Sequence, residues 1–407
     1  MAKYTELKNC LCCSSEKLMS LLDLNEQPLA NSYHKGEELE KYPLKTNLCL
    51  ECYHVQLSIA VDPDEMFKNY LYVSGTTETV RNYCDWFAEY VYANYINKKN
   101  KNGSKILDIA CNDGTQLASF KKYGCELYGV DPAENLSKTC REKGINLKVA
   151  YWDKECAQSL PQMDILIAQN VFAHTSDPFE FLVGCKEAMG EDSILFIQTS
   201  QANMFLNNEF DTIYHEHISF FSSKSMNALC ERSGLQIMDV FKPNIHGTSY
   251  VFVVKKTSYH DATIRDEIKK EELAGRYDPA FYYQYSKNVT RVVNDLKSYV
   301  SIQKDAGKKV VGYGAAAKGN VLLNFTDLKL DYIIDDNPLK QGLKTPGTDI
   351  EIYGPQRLTE EKEEELIVIP LAWNFFDEIS NRVRVARGHS RDTFVRYFPT
   401  LKIEKGQ

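Results

Sequence analysis

Short apolar runs alternate with segments of helical, charge-rich spacing, and the alternation divides the chain into regions. Candidate strands fall at 105–110, 126–130, 164–168, 193–198, 235–241 and 249–255. Most are separated by a helix-length segment, which predicts a doubly wound α/β sheet from Met66 to Lys255. The last two strands read as an antiparallel closing hairpin. A charged stretch from Ile264 to Arg276 and a polar helical pattern through Val300 follow, and both read as a solvated connector. From Lys308 a second α/β pattern begins. Val310-Val311 runs into Gly312-Tyr313-Gly314 and an Ala-rich helix start, followed by apolar runs at Tyr332–Ile334 and Leu366–Pro370. The tyrosines of 281–285 read as helix packing.

At 407 residues the chain is long enough for two or three domains. A formal charge of −8 and a pI of about 5.6 exclude the basic face of a nucleic-acid binder. No apolar run reaches bilayer length and the N-terminus has no signal-peptide pattern, so no membrane partner is expected. Twelve cysteines without an export signal predict a cytoplasmic chain whose thiols stay free or bind metal. Cys10 and Cys13 form one C-x-x-C pair, and Cys49 and Cys52 form a second. Two such pairs complete a tetrahedral S4 site for structural Zn²⁺, closed to catalysis. Cys12, inside the first pair, leaves the ligand register open.

The stretch KILDIACNDGTQLASFKKYGCELYGVDP carries the first chemistry. The strand from Ile106 to Ala110 ends in the turn Cys111-Asn112-Asp113-Gly114, where Gly114 leaves room for a ligand beside the backbone amides. Asp131, closing the next strand, stands where it can accept both hydroxyls of an adenine ribose. A dinucleotide enzyme and an S-adenosylmethionine (SAM) methyltransferase share this pattern. The G-x-G-x-x-G fingerprint is absent, and Asp108 and Asp113 suit a sulfonium better than a pyrophosphate. Gln169-Asn170 ends the strand 164–168 in a carboxyl-end loop, where such sheets place ligands. In the second α/β region the turn at Gly314, with Lys318 as counter-charge, has the shape of a phosphate site. Trp152 is a candidate to pack on adenine, and Trp373-Asn374 to close a second ligand site.

The run Asp211-Thr212-Ile213-Tyr214-His215-Glu216-His217 is dense in titratable groups. If extended, it sets His215 and His217 opposite Tyr214 and Glu216. As a turn, it brings all four to one pocket. H-E-H lacks zincin spacing, so the histidines read as acid–base groups and not metal ligands.

The ordered set of C-x-x-C pairs, YLYVSGTTE, LDIACNDGT, NVFAH, YHEHISFFS, IHGTS, GYGAAAKG and DDNPLKQG resembles the sugar C-methyltransferase family over nearly the whole chain. These SAM-dependent enzymes methylate C3 of nucleotide-linked 4-keto-6-deoxy sugars. The resemblance implies an N-terminal zinc-binding module over 1–67, a central Rossmann-like SAM domain over 68–257, and a C-terminal Rossmann-like α/β domain over 258–407 that holds the sugar nucleotide. It implies that His217, or else Tyr214, removes the C3 proton, that Glu216 orients the base, and that Tyr72 positions or protonates the sugar. Ala110, Asn112, Asp113 and Gly114 would hold the methionyl part of SAM, with Asp108, Asp131 and Asn170 completing that site. Tyr70, His215, His246, Tyr313, Lys318, Asn320 and Asp336 would meet the sugar nucleotide. A 4-keto group acidifies the C3 hydrogen, so a base near neutrality suits C-methylation. A small-molecule O- or N-methyltransferase and a non-catalytic scaffold stand as alternatives. A monomer is expected, with an oligomer open.

Overall fold

The computed structural model describes residues 3–67, 75, 77–97, 103–200, 202–245, 247–256, 262–361, 364–388 and 391–405. It divides into two compact units, neither continuous in sequence. Unit 1 comprises Met1–Met19, Asn47–Ala202 and Ile218–Tyr277, and unit 2 comprises Ser20–Thr46, Asn203–His217 and Asp278–Gln407.

Unit 1 is built on a seven-stranded sheet. Its strands are β1 (Lys105–Ile109), β2 (Glu126–Val130), β3 (Asn146–Lys148), β4 (Met163–Gln169), β5 (Met189–Thr199), β6 (Gln236–Phe241) and β7 (Tyr250–Lys255). Their order is β6-β7-β5-β4-β1-β2-β3. The strands β3 to β5 across the sheet are parallel, and β7 runs antiparallel to both β5 and β6. The expected closing hairpin is therefore present, while the three-residue β3 is too short and polar to stand out in the sequence. Central strands are apolar on both faces because helices cover both. Leu107, Ile109 and Leu166 pack into one core with Phe172 and Leu182. Ile106, Ile165 and Phe196 pack into the other with Phe87 of helix α1 (Glu78–Val91). The chain goes from β1 outward to β2 and β3, then returns to β4 on the other side of β1. That reversal opens a crevice at the carboxyl ends of β1 and β4.

The N-terminal residues of unit 1 form a small β-module. Val55–Leu57 pairs antiparallel with Ser219–Phe220, and Tyr4–Glu6 pairs with Ile59–Val61. Leu11 N–H donates to Gln56 Oε1 at 2.8 Å and Gln56 Nε2 donates to the Asn9 carbonyl at 3.0 Å, fastening the first cysteine turn to that strand pair.

Unit 2 carries a six-stranded sheet: β8 (Lys309–Tyr313), β9 (Ile333–Ile334), β10 (Ile352–Tyr353), β11 (Leu366–Pro370), β12 (Thr393–Arg396) and β13 (Lys402–Lys405). The order is β10-β9-β8-β11-β12-β13, parallel except for β13. Its reversal lies between β8 and β11, so the turn after β8 and the loop after β11 share a crevice. A Cβ on Gly319 would come within 2.7 Å of Leu371 Cβ, which shows how tightly these two segments approach. The 27-residue helix α2 (Pro279–Asp305) is capped by Asp278 and buries Tyr282, Tyr285 and Val289. Tyr283 stays exposed, so the tyrosine cluster is helix packing as expected. No helix among the described residues is long and apolar enough to cross a membrane.

Candidate active site

In unit 1 the cofactor candidates gather at the carboxyl edge of the sheet. Ala110 and Asn112 hold φ values of 59° and 52°, and Asn170, ending β4, holds 54°. Left-handed conformations in three residues that have side chains mark a backbone held by its surroundings, as at ligand sites. Asp131 ties this turn down: its two carboxylate oxygens accept from the Asn112 and Ala133 amides, both at 2.8 Å. Each oxygen retains a lone pair for a ribose hydroxyl. Burial raises the Asp131 pKa, and these amide hydrogen bonds oppose the rise. Asp108 is pushed well above the carboxylate range by burial, and nearby Asp131 adds to the effect. Asp113 is braced by Lys143, whose Nζ lies 3.2 Å from its carboxylate and 2.7 Å from its carbonyl.

Gly114 serves a different end from the one its sequence suggests. At φ 74° a Cβ would overlap the Ile145 Cδ1 methyl and approach Cys140 Sγ to 3.4 Å, so the space is filled by packing and not kept for a ligand. The Gly114→Ala variant is expected to lose about 2–4 kcal/mol in denaturant unfolding, combining left-handed strain with overpacking. Gly307→Ala, at φ 76° with nothing within 4 Å, should lose only about 1–2 kcal/mol. Equal losses at both positions would refute the packing role of Gly114.

Further along the same edge lie four buried polar atoms without hydrogen-bond partners among the described residues: Gln169 Nε2, Asn170 Oδ1, Gln198 Nε2 and Thr199 Oγ1. Gln169 and Gln198 are register neighbours on β4 and β5, and the Tyr83 hydroxyl donates to Gln198 Oε1. Buried polar groups seldom go unsatisfied, so this edge fits a polar ligand such as the methionyl part of SAM. Gln198 and Thr199 escaped sequence reasoning because an apolar strand that ends in Gln-Thr is unremarkable without its neighbour. Trp152 does not reach this site: its Nε1 donates to the Phe181 carbonyl at 3.2 Å and its ring packs on helix Pro178–Ala188.

The sulfur atoms of Cys10, Cys13, Cys49 and Cys52 lie within 4.8 Å of one another. Cys10–Cys52 and Cys13–Cys49 are separated by 3.5 and 3.6 Å. A tetrahedron of Zn–S bonds about 2.3 Å long has edges of about 3.8 Å, so the cluster needs little adjustment to hold Zn²⁺. The register left open by Cys12 is thereby resolved: Cys12 is fully buried outside the four.

In unit 2 the titratable run is a turn, and the extended alternative fails. His217 N–H donates to the Tyr214 carbonyl at 2.8 Å, which folds the His217 ring onto Tyr214 with centroids 4.0 Å apart. His217 Nδ1 lies 2.8 Å from the Thr212 carbonyl, and Nε2 lies 2.9 Å from the Tyr214 hydroxyl. A carbonyl only accepts, so Nδ1 carries the proton; in the neutral ring Nε2 is the basic nitrogen and accepts from Tyr214. The bond that orients His217 therefore comes from Thr212. Glu216 Oε1 accepts from Asn31 Nδ2 at 2.6 Å. His215 points into the core edge-on to Tyr42, and burial pushes its pKa down to about 4, leaving it neutral.

The remaining candidates of unit 2 fall into separate groups. The Tyr313 hydroxyl donates to Asp336 at 3.1 Å, and Arg382 pairs with that carboxylate at 2.9 Å. Asn320 Nδ2 donates to the Ala30 carbonyl and the Tyr33 hydroxyl, at 2.7 and 3.1 Å. Ala315 N–H donates to Asp335, while the Tyr33 hydroxyl and Lys340 both donate to the Ala315 carbonyl. The turn after β8 is thus clamped on both sides. Lys318 lies over the Trp373 ring, 4.6 Å from its centroid. Trp373 Nε1 donates to Asp211 Oδ2 at 2.9 Å, and the Tyr397 hydroxyl donates to the same oxygen at 3.2 Å. Burial pushes the Asp211 carboxyl up to about 7, with Lys318 pulling down and Glu209 pushing up. Asp211 opens the titratable run, yet its partners lie 162 and 186 residues away in sequence, beyond any local signal. Tyr70, Tyr72 and His246 lie outside the described residues.

Three family models match consecutive parts of the chain: a zinc binding domain over residues 10–67, a methyltransferase domain over 78–240, and a C-methyltransferase C-terminal domain over 244–399. The C-methyltransferase NovU of Streptomyces niveus is 27% identical over 394 residues, covering 92% of this chain and 91% of that protein. A ubiquinone biosynthesis O-methyltransferase of Glaesserella parasuis serovar 5 is 28% identical over 117 residues, or 26% of this chain and 50% of that protein. Among solved structures, magnesium protoporphyrin IX methyltransferase from Synechocystis PCC 6803 with bound SAH aligns over 44% of this chain and 83% of its own. The identity is 14% and the TM-score 0.35.

Proposed function

This chain belongs to the SAM-dependent C-methyltransferases with an N-terminal zinc-binding domain, and from that premise we propose that it methylates C3 of a nucleotide-linked 4-keto-6-deoxy sugar. The observation that carries this reading is the hydrogen-bonded array Thr212–His217–Tyr214. Methyl transfer to oxygen or nitrogen can proceed with a weak proton acceptor. Transfer to carbon first requires a C–H proton to leave, and that requires a positioned base.

The array acts as a unit. The Tyr214 oxygen takes the C3 proton while its own proton passes to His217 Nε2, or Nε2 takes the C3 proton directly once Tyr214 swings aside. In either case the ring becomes an imidazolium whose Nδ1–H stays on the Thr212 carbonyl. The electrons of the C3–H bond move into the adjacent carbonyl, forming an enolate at O4. SAM, when bound, supplies an electrophilic methyl group; Asp108, Ala110, Asn112, Asp113, Asp131 and Asn170 are the residues to hold it. Lys318 and the clamped turn after β8 are the groups to take the nucleotide diphosphate, together with Tyr313, Asn320 and Asp336. Tyr70, Tyr72 and His246 complete the set proposed to meet the sugar.

Proton exchange separates this reading from its rivals. Nucleotide-linked 4-keto-6-deoxy sugars incubated with the enzyme and S-adenosylhomocysteine in D2O should lose the C3 proton signal by NMR, and His217→Ala should abolish the loss. A keto sugar that binds yet shows no exchange would exclude C-methylation and leave O- or N-methylation.

A further inference from the structure

We propose that Asp211 is the positioning residue of the His217–Tyr214 pair, linking the core of unit 2 to the peptide that selects the His217 tautomer. The inference rests on the proposed role of that pair.

Thr212 has no rigid element of its own; it belongs to an irregular turn between Asn203 and His217. Its carbonyl nevertheless must stay within 2.8 Å of His217 Nδ1, because that hydrogen bond is what keeps the proton off Nε2. The residue immediately before it is fixed from two sides. Trp373, in the loop after β11, and Tyr397, just past β12, both donate to Asp211 Oδ2. The Tyr397 hydroxyl oxygen also lies 3.2 Å from the Leu371 carbonyl, so its single proton is shared between that carbonyl and Asp211 Oδ2. Asp211 and Tyr397 are fully buried. The side chain of Asp211 thus pins the 211–212 peptide to two parallel strands, and that peptide pins the imidazole. The groups that face Asp211 are Lys318, Glu209, Trp373 and Tyr397. A short apolar residue at 211 would leave the Trp373 Nε1–H without its acceptor, turn the Tyr397 hydroxyl to the Leu371 carbonyl alone, and free the peptide to rotate.

Neighbouring contacts show that a generic core role is already filled by other residues. Phe210 packs against Phe325 and Phe398, and Tyr285 donates to the Glu209 carbonyl at 3.3 Å. These hold the segment in place without setting the direction of the Thr212 carbonyl.

The test is nitrogen-15 NMR of histidine-labelled full-length protein, read without substrate. In the parent protein His217 should be present as the Nδ1–H tautomer. In Asp211→Ala it should become a mixture of tautomers, and kcat should fall about a hundredfold with KM for SAM unchanged. Asp211→Asn keeps an oxygen that can accept from Trp373 and Tyr397, so it should restore the tautomer and bring kcat within about tenfold of the parent. A pure Nδ1–H tautomer in Asp211→Ala would overturn the proposal. Should that variant fail to fold, Trp373→Phe and Tyr397→Phe replace it, and an unchanged tautomer in both overturns it equally. Because the tautomer is read in the absence of any sugar, failure of the sugar reading leaves this result intact.

Discussion

His217→Ala should bind SAM as tightly as the parent enzyme and lose C3 exchange by about 10²–10⁴-fold. The size follows from what the ring does. As a neutral Nδ1–H imidazole it offers one unprotonated nitrogen, already 2.9 Å from the Tyr214 hydroxyl, so no tautomer change precedes proton transfer. Removing it leaves the Tyr214 phenol without the imidazole nitrogen that takes up its proton. Tyr214→Phe distinguishes the two routes. If the tyrosine oxygen meets C3, this variant should be as damaged as His217→Ala, and the double variant should be no worse than either single one. If Nε2 meets C3, Tyr214→Phe should retain most of the exchange. The measurement is the initial exchange rate in D2O for all three variants at saturating sugar. Cofactor affinity is followed separately by calorimetry with S-adenosylhomocysteine, and a loss of that affinity in His217→Ala would contradict its assigned place.

Removing zinc should have the other large effect. Cys49→Ser, or treatment with a strong chelator, is expected to unfold the N-terminal module as a unit. Structural Zn²⁺ contributes on the order of 10 kcal/mol or more in small modules, well beyond what the few apolar residues there can replace. The damage should spread along a definite route. The first cysteine turn is fastened through Gln56 to Val55–Leu57, which pairs with Ser219–Phe220. Leu57 N–H donates to the Ile218 carbonyl at 2.9 Å, and His54 Nε2 lies 3.2 Å from Ser219 Oγ. Ile218 directly follows His217 in the chain. Hydrogen exchange after zinc removal should therefore show lost protection at 218–220 as well as around the four cysteines. Protection confined to its original level at 218–220 would show that the module is independent of the strand it pairs with.

Much of this architecture is legible in the sequence, for physical reasons. The strands of unit 1 carry continuous apolar runs because helices bury them on both faces, and the end of each run falls within two residues or so of the observed one. There are two exceptions: β3 is too short and polar to read, and β5 begins at Met189, where Gly190, Glu191 and Asp192 hide its start. The four cysteines stand out because two C-x-x-C pairs offer the tetrahedral S4 set that structural Zn²⁺ prefers. The tyrosines of 281–285 read correctly because helical periodicity puts two of them inside. Other features leave no local trace. Glu216 meets Asn31 across 185 residues and Asn320 meets Ala30 across 290, so neither pairing could be inferred from neighbours. The histidine–tyrosine array was partly visible as a cluster, yet which group orients His217 depends on a backbone carbonyl, and carbonyls have no letter in the sequence. Gly114 misled for a related reason: a glycine shows that something approaches closely, without showing whether it is a ligand or the Ile145 side chain.

The discontinuity of unit 2 bears on the order of events during synthesis. Its first segment, Ser20–Thr46, emerges from the ribosome more than two hundred residues before Asp278. Those of its residues that meet the C-terminal sheet region, such as Ala30 with Asn320, cannot reach it until the last third of the chain has been made. The same is true of the turn at 203–217, whose Asp211 meets Trp373 and Tyr397. Unit 1 can gather nearly all of its parts earlier, from Asn47 through Tyr277, so it should consolidate first while the 203–217 segment still waits for its partners. Long-range closure of this kind is slow. A fragment that begins at residue 278 would lack the segments that complete its fold, so separating the two halves of this enzyme by a single cut would yield one soluble piece at most.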